Sequence, residues 1–249
     1  MLKVGESKDI INTILYPENE YKLRMKIGRD AQFGEGQSSG TALEADDPRL
    51  ALTYHEFPLE SLDELLSLAI TLYETTNGRK PLNLIDLGSG CGRLVLSAAL
   101  KGQELNSQNQ WDQVHGIEIS DLMHDYAIEM IGRGIESNIL QTKKDQFDSS
   151  TEVYFHNLPA QEAKHILSKA DIIFCYSTVF DTVGFNTDLG ALVLVEEWSE
   201  LLADSCKLGT VVVTTDRALN PVNGWVLKNR LDVENPSLLG STGYISIRQ

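Results

Sequence analysis

Leu82-Asn83-Leu84-Ile85-Asp86-Leu87-Gly88-Ser89-Gly90-Cys91-Gly92-Arg93 is the stretch on which the fold turns. Leu84, Ile85 and Leu87 read as a buried strand, Gly88, Gly90 and Gly92 alternate through a turn, and Leu94 to Leu100 continues at helix-compatible composition. Glycine admits positive φ and lets a backbone come close to a ligand. At a strand-to-helix turn of an open α/β sheet, that closeness makes a nucleotide-shaped site at the carboxyl edge. The spacing is G-x-G-x-G, not the G-x-G-x-x-G of dinucleotide folds, and no Gly-Lys-Ser/Thr ending marks a phosphate loop. Asp86, two residues before the first glycine, suits a ligand with a cationic head and not a pyrophosphate.

On either side the chain alternates. Leu62, Leu65, Leu66, Ala69 and Leu72 mark one face of a helix over Leu59–Tyr73, with Pro58 ahead of it and Asn77-Gly78 at its end. Strands are expected at 114–119, 153–156, 171–176 and 210–215; the third is an apolar run suited to a central parallel strand. Helices are expected over Asp121–Ile131, capped by Ser120 or Asp121, over Ala160–Ser168, and as one long element over Asp188–Cys206. No helix follows 210–215; Asn220 to Gly224 is turn material, and Trp225–Val233 and Tyr244–Ile247 read as two last strands. The alternation predicts an α/β chain with a doubly wound, mostly parallel sheet. Ahead of it, residues 1 to about 30 are mixed, with a short helix around Ile10–Leu15, and residues 31–49 are a glycine-, serine- and acid-rich loop, either a connection or a lid. The expected division is an N-terminal helical and loop extension, 1–58, and a main domain, 59–249. Lys101–Gln113 and Glu136–Ser150 read as polar surface segments.

Composition narrows the function. A net charge of −15 argues against a general binder of phosphate backbones, so no direct nucleic-acid binding is expected; it leaves room for a basic protein substrate. Cys91, Cys175 and Cys206 are odd in number and widely spaced, with neither zinc spacing nor a disulfide framework, so no metal is expected and a reducing interior fits. The N-terminus lacks a signal-peptide core and no apolar run approaches membrane-spanning length. An intracellular place, cytoplasmic or nuclear, follows as the expectation. Glu118 ends the second strand of the main domain, 32 residues after Asp86, where an acid can accept hydrogen bonds from both hydroxyls of a ribose.

The pattern Asp86-x-Gly88-x-Gly90-x-Gly92 resembles motif I of the class I S-adenosylmethionine (SAM) methyltransferases. The resemblance implies SAM as cofactor and a seven-stranded, Rossmann-like sheet whose closing pair includes one antiparallel strand. It implies that Asp86 lies near the methionine amino end and that Leu87, Gly88, Ser89, Gly90, Cys91 and Gly92 pass close to the cofactor. It gives Glu118 the ribose, Asn157 the adenine amine and Leu158 the adenine ring. His156 reads as an edge or buried histidine without a ligand.

A narrower likeness follows from order. Thr53 to Leu62 looks like the Tyr-Gly-Glu segment of the disruptor-of-telomeric-silencing (Dot) family of nucleosomal histone-lysine methyltransferases; Gly116-Ile117-Glu118 and Ala170-Asp171-Ile172-Ile173-Phe174 match later pieces. The likeness covers roughly residues 50 to 248 and implies lysine methylation, with Tyr54 and Glu56 closing over the methionine end of SAM. The chain departs from the family at His55, at His156-Asn157-Leu158, and after the strand at 171–176, where Tyr176-Ser177-Thr178 replaces paired asparagines. Tyr176, Ser177 and Thr178 are the residues expected to line the acceptor site. Two other readings share this fold: a methyltransferase for a non-histone protein or a small molecule, and a catalytically silent SAM-binding scaffold. Sequence leaves the oligomeric state open.

Overall fold

The computed structural model describes residues 2–34, 53–104, 111–140 and 151–249. Among them, strands run over Asn83–Leu87 (β1), Gln113–Glu118 (β2), Glu152–Asn157 (β3), Ile172–Cys175 (β4), Thr182–Asn186 (β5), Ala191–Leu194 (β6), Val211–Thr215 (β7), Arg217–Ala218 (β8), Trp225–Val233 (β9) and Ser241–Arg248 (β10). Helices occupy Glu6–Ile10 (α1), Tyr21–Phe33 (α2), Leu59–Asn77 (α3), Arg93–Lys101 (α4), Asp121–Glu136 (α5), Lys164–Leu167 (α6) and Glu196–Ser205 (α7). Seven strands form one sheet in the order β3-β2-β1-β4-β7-β10-β9, and β5-β6-β8 form a smaller one. The large sheet is parallel except at β10, which runs antiparallel to both β7 and β9. This is the doubly wound class, with the reversal of strand order falling at β1 and β4, where open α/β sheets place their ligands.

The chain divides into two compact units: Met1–Glu56 with Gly88–Leu158, and Phe57–Leu87 with Pro159–Gln249. In the second, β4 pairs in parallel with β1 and β7, and Ile172, Ile173, Val211, Val212 and Val213 are fully buried, which is why these segments read as continuous apolar runs. The helix α3 buries Leu62, Leu65, Leu66, Ala69 and Tyr73 and stops at Gly78, which takes the left-handed conformation at φ 66°. Gly243 of β10 leaves room for that helix, since a Cβ there would fall 2.2 Å from Leu65 Cδ2.

At the start of β4, Asp171 gathers five donors. They are Tyr73 Oη at 2.5 Å, Lys207 Nζ at 2.7 Å, Arg79 at 2.8 Å, and the N–H groups of Leu82 and Asn83 at 2.8 and 3.1 Å. Burial disfavours its charge, but these donors outweigh burial and hold its pKa down at about 2. The Ala-Asp-x-Ile-Phe match therefore marks a structural carboxylate at a strand entry.

In the first unit, β2 and β3 pair in parallel and α5 begins at Ser120, whose hydroxyl accepts the N–H of Met123 at 3.4 Å. Tyr21–Phe33 forms a full helix inside the segment expected to be mixed, and Ile11–Leu15 is a wide turn following the short α1.

Two expectations change. Ala160–Ser168 is a tight turn over Ala160–Glu162 followed by the four-residue α6. The long helix over Asp188–Cys206 does not form: β5 and β6 make a hairpin there and only Glu196–Ser205 is helical. Asn186 Oδ1 accepts the N–H groups of Asp188 and Leu189, Gly190 turns at φ 60°, and Ala191–Leu194 then runs back as a strand with Leu192 exposed and Ala191, Val193 and Leu194 buried. The candidate lid, in its residues 35–49, and the middles of the two polar segments, 105–110 and 141–150, lie outside the described residues.

Candidate functional site

The glycine turn is held by its own backbone. Gly88, Gly90 and Gly92 take φ of 80°, 52° and 81°, so all three occupy the left-handed region that disfavours any other residue. The N–H groups of Gly88 and Ser89 both donate to the Ile117 carbonyl, at 2.9 and 3.0 Å, and tie the turn to β2. The glycines differ in what they admit. A Cβ at Gly92 would meet Phe155 at 2.5 Å and Ala127 at 2.8 Å, so that glycine serves packing; one at Gly90 would come within 3.0 Å of the Tyr54 ring. Cys91 is buried and its carbonyl accepts the Tyr16 hydroxyl at 2.8 Å. Ser89 is also buried, and its hydroxyl has no hydrogen-bond partner among the described residues.

Glu118 ends β2 as expected and is buried. Its Oε2 accepts the Gly90 N–H and its Oε1 the Ser120 N–H, both at 2.8 Å, so the carboxylate bridges the glycine turn and the start of α5. Burial raises its pKa, against the pull of those N–H groups. A carboxylate offers about four acceptor positions, and the Ile119 N–H draws on this one as well, so only part of that capacity stays open. Asn157 lies opposite Glu118 in the β2–β3 register, with its amide donating to Asp121 Oδ1 at 2.6 Å, and the Leu158 N–H donates to the Glu118 carbonyl at 3.1 Å. His156 stacks in one row with His115 and Tyr154, its Nε2 3.0 Å from His115 Nδ1.

Tyr54 and Glu56 join a cluster that sequence reasoning missed. Glu56 Oε1 accepts the Tyr54 hydroxyl at 3.0 Å and Arg24 Nε at 2.5 Å; a second Arg24 nitrogen lies 3.4 Å from Oε2, and Arg93 Nε 3.7 Å from Oε2. Arg24 is only 1% exposed, sits over the rings of Tyr16 and Tyr21, and donates to the Pro17 carbonyl at 3.1 Å. Burial and the Glu56 charge push the Tyr54 phenol well above 10, so it stays protonated and donates. Burial works against the Arg24 charge, and Glu56 more than restores it. Gly28 makes room: a Cβ there would fall 2.2 Å from Tyr54 Cβ. The readable signal was Gly28 placed four residues after Arg24, on the same helix face.

The second unit carries the other expected residues. Asp86 is buried at the end of β1, opposite Phe174 in the β1–β4 register, and Leu87 is buried beside it in sequence. Burial, and then the Asp86 charge, raise the Cys175 thiol pKa. After β4, Tyr176 packs its ring against Phe57, centroids 5.0 Å apart, and its hydroxyl accepts the Asn235 amide at 3.0 Å. Ser177 is fully buried and bonded to Thr215 in both directions, donating to its carbonyl at 2.9 Å and accepting its N–H at 3.2 Å. Thr178 donates to Asp216 Oδ2 at 2.5 Å. Asp216, in the left-handed region at φ 62°, also accepts from Ser241 Oγ and the Thr242 N–H. Asp216 and Asn235, the partners of Thr178 and Tyr176, line a groove of about 770 Å³ whose charged lining is Asp216, Asp232, Glu234 and Arg230, with Arg230 3.7 Å from Asp232. Asn235 and Asp216 were not foreseen, because each reaches Tyr176 or Thr178 from 38 or more residues away in sequence.

Among the described residues no cluster could hold a metal ion, and no helix is long and apolar enough to cross a membrane. An rRNA methyltransferase from Streptomyces viridochromogenes superposes with a TM-score of 0.51 at 14% identity, covering 77% of this chain and 85% of that one, which shows the shared fold. An RNA methyltransferase from Salinibacter ruber, in complex with S-adenosyl-L-homocysteine, gives 0.48 at 22% identity over 78% of this chain and 95% of that one. A magnesium protoporphyrin IX methyltransferase from Synechocystis PCC 6803 with bound SAM gives 0.47 at 14% identity over 98% and 97%. No curated protein matches the chain. The model of the family described as histone methylation protein DOT1 matches residues 43–229. That match spans the glycine turn, Glu118 and the end of β4, and the chain belongs to the DOT1 family as a SAM-dependent methyltransferase.

Proposed function

We propose that this enzyme methylates a lysine side chain of a basic protein, with histones as the first class to test. The observation that carries the reading is the groove beside Tyr176 and Thr178, whose charged lining is three carboxylates and one guanidinium already facing Asp232. Such a lining draws in an ammonium ion. The family's description as a histone methylation protein supports the same acceptor class.

The chain's residues fit SAM on chemical grounds. Glycine-only backbone at Gly90 permits close approach, and the acceptor capacity left open on Glu118 suits a ribose hydroxyl. Asp86 takes the methionine ammonium; Leu87, Gly88, Ser89, Gly90, Cys91 and Gly92 form the cradle; Asn157 and Leu158 take adenine; Tyr54 and Glu56 cover the methionine end. SAM supplies an electrophilic methyl on its sulfonium, and the protein supplies orientation and charge placement. A lysine attacks only as the neutral amine. The carboxylates of the groove attract its charged form, and loss of the proton to water must precede attack. Burial raises the Tyr176 pKa, so its hydroxyl remains a neutral hydrogen-bonding group. Ser177 and Thr178 shape the acceptor end of β4 through Thr215 and Asp216. Residues 59–249 form the methyltransferase domain, and the extension 1–58 contributes Tyr54 and Glu56 to it.

Calorimetric titration with S-adenosylhomocysteine, with NAD as control, followed by radiolabelled SAM assays on nucleosomes, free histones and RNA, tests the reading. Binding of the homocysteine nucleoside and label on histone lysine are the expected results. Label on RNA alone, or binding with no turnover on any acceptor, would refute it. Asp86→Ala and Gly90→Arg should abolish nucleoside binding in a chain that stays folded; undiminished affinity would remove the site assignment.

A further inference from the structure

The hairpin of β5 and β6 turns an apolar face outward. Val183, Phe185 and Leu192 are 63%, 64% and 42% exposed, and Phe185 pairs directly with Leu192 in the antiparallel register. A small antiparallel element with one covered face normally shows polar residues on the other. The covered face here needs nothing from these three: Ala191 packs with Ala218 and Tyr244, and Val193 and Leu194 are buried. The hairpin is also well held, by Asn186 at its turn and by Arg230, which donates to the Gly190 carbonyl at 3.3 Å. A contiguous apolar face on a fixed element points to a partner.

Charge says which partner. From Asp171 to Cys206 the chain contains no lysine, arginine or histidine. Asp181, Asp188, Glu196 and Glu197, on and beside the hairpin, are all exposed. Arg217 of β8 lies beside Leu192 in the register, close to Asp181 and Asp216, and the rest of the rim is acidic; an apolar centre with such a rim complements a polypeptide that carries apolar anchors among basic residues. It opposes a second copy of this chain, which would bring the same acidic rim and a net charge of −15. The hairpin follows Tyr176, Ser177 and Thr178 in the chain by only a few residues, and Arg230 lines the groove as well as holding Gly190.

We propose that the outer face of the β5–β6 hairpin, centred on Phe185 and Leu192, is the docking surface for the basic protein substrate. This rests on the amine-acceptor reading given above. Buried aromatic anchors carry most interface energy, whereas rim charges chiefly set association rate and salt dependence.

The test uses the full chain and fluorescently labelled core histones, with anisotropy read at low and at physiological salt. Wild type should bind, more weakly at the higher salt. Phe185→Ser with Leu192→Ser should weaken binding by about tenfold or more. Glu196→Gln with Glu197→Gln, which keeps the apolar face, should reduce the salt dependence. S-adenosylhomocysteine affinity and thermal midpoint should hold in both variants. Equal histone binding by wild type and the serine variant overturns the proposal, as does absence of histone binding by a wild type that still binds the nucleoside. Self-association of wild type that the serine variant loses, seen by sedimentation, assigns the face to a second copy and also overturns it. Failure of wild type to bind the nucleoside would instead bring down the underlying methyltransferase site.

Discussion

At the scale of single residues, the cofactor side is organised by carboxylates that already have partners. Glu118 both receives the Gly90 N–H and caps the start of α5 through Ser120, so its removal loosens the turn as well as deleting the proposed ribose acceptor. Glu118→Ala should cost about 1.5–3 kcal/mol of S-adenosylhomocysteine binding by calorimetry, the scale of charge-assisted hydrogen bonds. Arg24 lies outside the residues matched by the family model, yet it is the main partner of Glu56. Replacing it with methionine leaves a largely buried carboxylate whose other cation among the described residues is Arg93, at 3.7 Å. The expected loss is about 3 kcal/mol or more in urea unfolding, with nucleoside affinity falling too. Arg24→Lys should recover only part of both, because an ammonium cannot reproduce the two-pronged contact; a midpoint equal to wild type in either variant would remove Arg24 from this role. Asp86, Gly88, Gly90, Gly92 and Glu118 were legible in the sequence because a local pattern announces them. Arg24, Asp216 and Asn235 were not, because each acquires its place only through a partner distant in sequence.

At the scale of elements, Asp171 shows how a strand entry is secured. Its folded pKa, about 2, lies below the ordinary value of 3.8, so its contribution is present above pH 4 and is lost as pH falls toward 2. The linked stabilisation is about 2–3 kcal/mol. Asp171→Asn should therefore unfold at lower urea than wild type at neutral pH, and the gap should narrow as pH drops through that window. A gap independent of pH would mean that the carboxylate's charge is not what matters. The same scale explains the larger of the two misread elements, the one expected as a helix over Asp188–Cys206. Leucine and valine around 189–195 carry enough apolar residues to pass for a helix face, and periodicity over so short a run cannot separate the two states. The decision fell to Asn186 and Gly190, whose turn chemistry breaks the helix and folds the run back as β6. Where an apolar run was bounded by glycines or entered a central strand, as at β1, β4 and β7, sequence and structure agree to within about two residues.

At the scale of the molecule, the three thiols share one condition. Burial pushes Cys91 and Cys206 up to about 12 and Cys175 higher still, and all three are reduced and buried. An aromatic disulfide reagent should find no reactive thiol in the folded protein at neutral pH and three in urea; fast labelling of one thiol under native conditions would contradict the burial. The division into two units has a consequence in time. Each unit is assembled from two separated stretches of chain, so Met1–Glu56 waits for residues up to Leu158, and Phe57–Leu87 waits for the remainder of the sequence. Domains made of one stretch fold as they leave the ribosome. Here the nascent chain instead carries Leu62, Leu65, Leu66, Leu84 and Ile85, all destined for burial, without their later partners until the stretch from Pro159 has been made. Ribosome-bound chains halted before Pro159 should accordingly depend on holding chaperones, and release of the C-terminal strands should be the event that ends that dependence.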